Sequence, residues 1–155
     1  MPTLSYDTVL PAPLPSTILR DGSGQADRIA TCIESALSAV EPVRRGLERR
    51  REARHPFPYP IHLTPLDDGR PDVSRTIVVI GKHLAPHGLD FYYSQPIAEK
   101  RVIASLDRGH EGWIGLLVEL TWCRFSRHGW YDNGGRFLAV VPSPLEELDD
   151  PSHAA

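Results

Sequence analysis

The chain predicts a mainly β fold, an antiparallel sandwich or small barrel of six strands preceded by one amphipathic helix. Three observations carry this expectation. From residue 59 to residue 141, β-branched and aromatic runs are separated by short turn clusters rich in Gly, Pro, Asp and His. No helical period intervenes between those runs, which argues against a parallel sheet with crossover helices. Ahead of them, Ile29, Ile33, Ala36, Val40, Val43 and Leu47 recur at alternating spacings of four and three, the signature of a single helix stripe.

Each element follows from its residues. Residues 1–22 contain Pro2, Pro11, Pro13 and Pro15 with no period, and read as an extended arm. The stripe predicts a helix over 23–48, with Ser23 or Asp21 available as its cap. Pro42 lacks an amide hydrogen and clashes with the preceding turn, so it kinks the helix or divides it. The run His55-Pro56-Phe57-Pro58-Tyr59-Pro60 forbids further helix. Strands are then expected at Tyr59–Leu66, Thr76–Ile80, Leu89–Tyr93, Lys100–Leu106, Trp113–Ser126 and Trp130–Val141. Trp113–Ser126 is long enough to bend, and Arg127-His128-Gly129 joins it to the last strand as a hairpin. The barrel region is thus 49–141. Residues 142–155, with Glu146, Glu147, Asp149 and Asp150, read as an acidic flexible tail.

Composition excludes several classes of function. At 155 residues, 41% hydrophobic and 24% charged, the chain has room for one ordinary domain. No apolar run approaches the roughly 20 residues of a membrane-spanning helix, and the first residues carry no secretory pattern. Cys32 and Cys123 are too few for a disulfide scaffold or a thiolate zinc site, so a reducing cytoplasm is the expected compartment. The net charge is −3, which argues against a nucleic-acid coat. Yet Arg44, Arg45, Arg49, Arg50, Arg51 and Arg54 crowd together, opposed only by Glu48 and Glu52. A compact arginine patch on an acidic chain points to a small anionic ligand or a protein partner.

Within that patch, Arg50 and Arg54 form an Arg-x-x-x-Arg pair beside Arg49. Side chains four apart share one helix face, so the two guanidinium groups can close on one ligand. Guanidinium suits phosphate and guanine because its planar fork donates two parallel hydrogen bonds and its face stacks on a base. A solvated, arginine-rich helix end is the alternative reading of the same residues. His83, His87 and His110 offer no ligand spacing for a metal, because Pro86 and Gly88 break any helix between them. Cys123 is expected to pack as a small apolar side chain in its strand. The tryptophans, with Phe91, Tyr92 and Tyr93, are expected in the core and rim. No phosphate loop, nucleophile elbow or carboxylate pair is present, so neither enzyme activity nor a cofactor is expected. The helix stripe is expected to pack on its own barrel. Its rival is a homodimeric coiled coil, for which under three heptads is short.

The order Arg-x-x-x-Arg, Pro-rich entry and six strands resembles the PilZ domain, a bacterial receptor for cyclic di-GMP. That family carries a second motif, Asp/Asn-x-Ser-x-x-Gly, between its second and third strands. Here the corresponding stretch is His83-Leu84-Ala85-Pro86-His87-Gly88, followed by Leu89-Asp90-Phe91-Tyr92. The late segments Trp122-Cys123-Arg124 and Gly134-Gly135-Arg136-Phe137 are similar to the end of such a barrel. The resemblance spans Arg49 to Val141. It implies a six-stranded PilZ-type barrel acting as a non-catalytic bacterial signalling domain, with cyclic di-GMP bound by Arg49, Arg50, Arg54, His83, Ala85 and Gly88. It also implies a downstream protein partner. The departures are His83 in place of Asp/Asn and Ala85 in place of Ser. Ala85 has no polar side-chain atom, and one lost ligand hydrogen bond costs about 0.5–1.5 kcal/mol. A degenerate interaction module without the nucleotide is therefore the alternative.

Overall fold

The computed structural model describes residues 22–40, 54–126 and 128–146. One helix, α1 (Gly22–Val40), is followed by strands β1 (His55–Pro56), β2 (Pro60–Asp67), β3 (Arg70–Pro71), β4 (Ile77–Leu84), β5 (Gly88–Tyr93), β6 (Arg101–Asp107), β7 (Trp113–Phe125) and β8 (Tyr131–Val141). The six longer strands are those expected from the sequence, while β1 and β3 are two-residue additions. Their order is β4-β5-β8-β7-β6-β2, every neighbouring pair is antiparallel, and β2 pairs back onto β4. Closure works because β2 pairs on both of its edges: Pro60–Leu63 with β4 on one side and His62–Pro65 with β6 on the other, so that His62 and Leu63 are bracketed by both strands. The fold is therefore a closed six-stranded antiparallel barrel, the arrangement that leaves no sheet edge along its wall.

Alternating side chains fill the barrel. Phe91, Ile61, Leu63, Leu84, Leu106 and Leu116 are wholly or almost wholly buried. Ile29, Ile33, Ala36 and Leu37 of α1 join the same core, so the helix stripe is covered by its own barrel. Polar ties help hold α1 in place. The Val140 amide donates to Gln25 Oε1 (3.0 Å), and Arg108 donates to Ser35 Oγ (3.1 Å). The expected helical segment beyond Val40, including Pro42, Val43 and Leu47, lies outside the described residues, as do the arm over 1–21 and residues 147–155.

Three expectations are corrected. The second strand was expected to stop at Ile80, but β4 continues to Leu84, so His83 lies on a strand and not in a turn. A bulge at Lys82 permits the extension by inserting one residue between the pairs Gly81↔Phe91 and His83↔Asp90. The acidic stretch from 142 is not loose as far as Glu146. Leu145 and Ser143 are buried, Ser143 bonds Ser105 (2.7 Å), and Glu146 accepts from the Trp113 amide (2.8 Å). Cys123 is exposed, not packed in the core. There β7 and β8 run on as a hairpin past the end of β6, whose last pair is Arg101↔Glu119, and no second layer among the described residues covers Thr121–Phe125. Trp122 and Trp130 are exposed for the same reason, whereas Phe91 is in the core as expected.

Candidate functional site

The short strand β1 places the end of the arginine segment. His55 pairs with Leu84 and Pro56 with His83, so Arg54 arrives where β4 turns into β5. Across that turn His83 pairs with Asp90. Leu89 and Phe91 point into the core, so the pleat turns Asp90 to the outer wall. Asp90 is nevertheless almost completely buried. Arg54 donates through Nη2 to its Oδ2, and His83 Nδ1 lies 3.1 and 3.2 Å from its two oxygens. Arg54 Nη2 also approaches His83 Nδ1 at 3.4 Å. Only 5% of the Asp90 side chain is exposed, against 62% for Arg54 and 30% for His83. A buried anion thus anchors a cation that remains mostly in solvent, and a buried charge of this kind needs such a partner.

Of the residues expected in the site, Arg54 and His83 are brought together, with Ala85 and Gly88 on the adjoining turn. Arg49 and Arg50 lie outside the described residues. Ala85 donates its amide to the Gly88 carbonyl (2.9 Å) and closes the turn. Gly88 has a definite steric reason: a Cβ there would sit 2.1 Å from the Gly135 carbonyl oxygen. Its missing side chain admits the backbone of β8. His87 and His110 are exposed, and among the described residues no group of three or more metal-ligating side chains forms.

Asp90 was missed from the sequence. The only local signal was one acid between Leu89 and Phe91 in an otherwise apolar strand. Lys82 and Asp132 were missed too. The bulge turns Lys82 toward Asp132, with Nζ to Oδ2 at 3.1 Å and the Tyr92 ring 5.2 Å away. The hydrogen bond to Asp132 holds the Lys82 ammonium above its ordinary pKa, against a smaller opposing effect of burial. On the far side of the hairpin, Arg136 donates twice to Glu119 (2.8 and 2.9 Å), and Arg101 approaches at 3.7 Å. That contact with Arg136 pulls the Glu119 carboxyl below its ordinary value. A separate cleft of about 210 Å³ is lined by Leu63, Ile77, Tyr93, Ile97 and Val102.

No family model and no curated protein matches the chain. Among solved structures it is similar to the Bacillus subtilis inhibitor of motility (MotI/DgrA), with a TM-score of 0.45 and 10% identity over 66% of this chain. The chain spans about half (48%) of that structure's length, and a likeness this distant carries no argument about ligand or partner.

Proposed function

We propose that this barrel is a non-catalytic receptor domain of PilZ type that binds cyclic di-GMP on the outer wall beside the β4–β5 turn. One observation carries the reading. Arg54 and His83, 29 positions apart in sequence, meet within 3.4 Å on the same buried carboxylate, and the arginine stays mostly exposed. Asp90 orients the Arg54 guanidinium but also cancels its charge. The positive charge that a doubly negative ligand needs would therefore come from Arg49 and Arg50, with Arg54 supplying direction. Ligand would draw the arginine segment against the barrel, a change that the short β1 connection passes toward α1.

Calorimetric titration of the folded chain with cyclic di-GMP tests this. Saturable heat at micromolar ligand is expected, with at least a tenfold loss for Arg50→Ala and for Arg54→Ala. No heat at high micromolar ligand overturns it. The Arg54–Asp90 pair also favours a second reading, a protein-interaction module, because a neutralised arginine and Ala85 together form a weak nucleotide site. On that reading the nucleotide gives no response, while Arg54→Ala weakens capture of a protein partner.

A further inference from the structure

We infer that the protruding β7–β8 hairpin is a self-association edge, on which a second copy of this chain pairs its β7 antiparallel to the first. The barrel wall is closed, but past Leu120 strand β7 has a neighbour only on the β8 side among the described residues. The hydrogen-bond alternation shows which groups face the open side. Ser126 donates to the Trp130 carbonyl (2.8 Å), Leu120 to Lys100 on the β6 side (2.7 Å), and Phe137 to His87 on the β5 side (2.9 Å). These three bonds fix Arg124↔Asp132 and Trp122↔Gly134 as the bonded pairs within the hairpin. The amides and carbonyls of Cys123 and Phe125 therefore point outward, as an unpaired template for another strand.

This edge carries one charge, Arg124, and one bulge, at Thr121 ahead of Cys123 and Phe125, but it lacks two other common protections. Thr121-Trp122-Cys123-Arg124-Phe125 contains no proline and no lysine, and all five residues are exposed. Trp122 is 38% exposed, Phe125 63% and the neighbouring Trp130 44%. Large apolar side chains along a free edge favour strand addition.

The sequence of this edge is complementary to itself in one register. Axes centred on Cys123, Arg124 or Phe125 bring outward groups opposite one another, and the last would carry the pairing past the end of β7 at Phe125. Centring the two-fold axis on Arg124 would set two guanidinium groups directly opposite, which is repulsive. Centring it on Cys123 sets each Arg124 opposite the other copy's Trp122. Arg124 already lies over the Trp122 ring within one chain, at 5.3 Å. The pairing would thus join two cation–π contacts into one Arg–Trp cluster on one face of a continuous four-stranded ribbon. The two Cys123 residues would form a bonded pair with Cα atoms about 5.5 Å apart, within the range a disulfide spans. The register centred on Arg124 sets Cys123 opposite Phe125, beyond that range. So short an interface implies a weak dimer, with a dissociation constant on the order of tens of micromolar.

Sedimentation velocity on the full chain carrying Cys32→Ser, from about 5 to 500 μM, tests the inference. The mass is expected to rise from 17.3 kDa toward twice that value. Diamide, which takes up the two thiol hydrogens, is expected to trap a dimer through Cys123. Cys123→Pro removes the central outward donor without breaking a bond inside the hairpin, and Phe125→Lys places a charge on the edge. Both are expected to remain monomeric, and Phe125→Lys decides the matter if the proline variant does not fold. A monomer at every concentration overturns the inference. So does a dimer that forms as well in either variant, or one that diamide fails to link.

Discussion

At the scale of single residues, contacts across strands outweigh local identity. Gly88 shows this sterically. Gly88→Ala is expected to destabilise the fold by about 1–3 kcal/mol, because the new methyl meets the Gly135 carbonyl and β5 must shift. A urea midpoint unchanged from wild type would refute the close approach. Glu119 shows it electrostatically. Its carboxyl is held below the ordinary value, chiefly by Arg136, so the pair stabilises the folded state above about pH 4.3, the unfolded carboxylate's range. That contribution is lost as pH falls through the lower, folded value. Arg136→Gln is therefore expected to be less stable than wild type at neutral pH, with the gap narrowing as pH falls below the unfolded carboxylate's range. Denaturation curves for both proteins across that range read the convergence, and a constant gap would contradict it.

The helix and the hairpin lie at the scale of elements, and they contrast. The stripe of α1 is spent on its own barrel, so Ile33→Ala removes apolar contact from a shared core and leaves a cavity. A loss of roughly 2–5 kcal/mol is expected from denaturant titration. A loss below half a kilocalorie would mean that the helix is only loosely docked. The hairpin shares the barrel's strand pattern but has no covering layer over its outer half among the described residues. Trp113–Ser126 reads as one continuous strand from its residues, and the structure gives one strand over Trp113–Phe125. Nothing in that run marks Glu119 as its last residue beside β6, because where a neighbour ends depends on that neighbour's length. This is why Cys123 was expected inside and lies outside.

For the whole molecule, closure depends on segments far apart in sequence. The residues after β8 act as a clasp: Ser143 reaches Ser105, Leu145 is buried, and Glu146 accepts from the Trp113 amide. A chain ending at Val141 is expected to lose about 2–4 kcal/mol, from one buried leucine and the unpaired polar groups left behind. Thermal unfolding of the truncated and full chains side by side measures it, and equal midpoints would show that the clasp is ornamental.

The residues alone determined the strand count, the strand positions to within a few residues and the amphipathic face of α1. Each of these is written in a local period, which sets the side of an element that must leave water. Only the tertiary structure decided how the barrel closes, because closure needs β2 to pair with β4 on one edge and with β6, about forty residues later, on the other. It also decided that Arg54, His83 and Asp90 share one charge cluster. Strand register converts sequence distance into contact, and the bulge at Lys82 that sets this register leaves no mark in the local pattern.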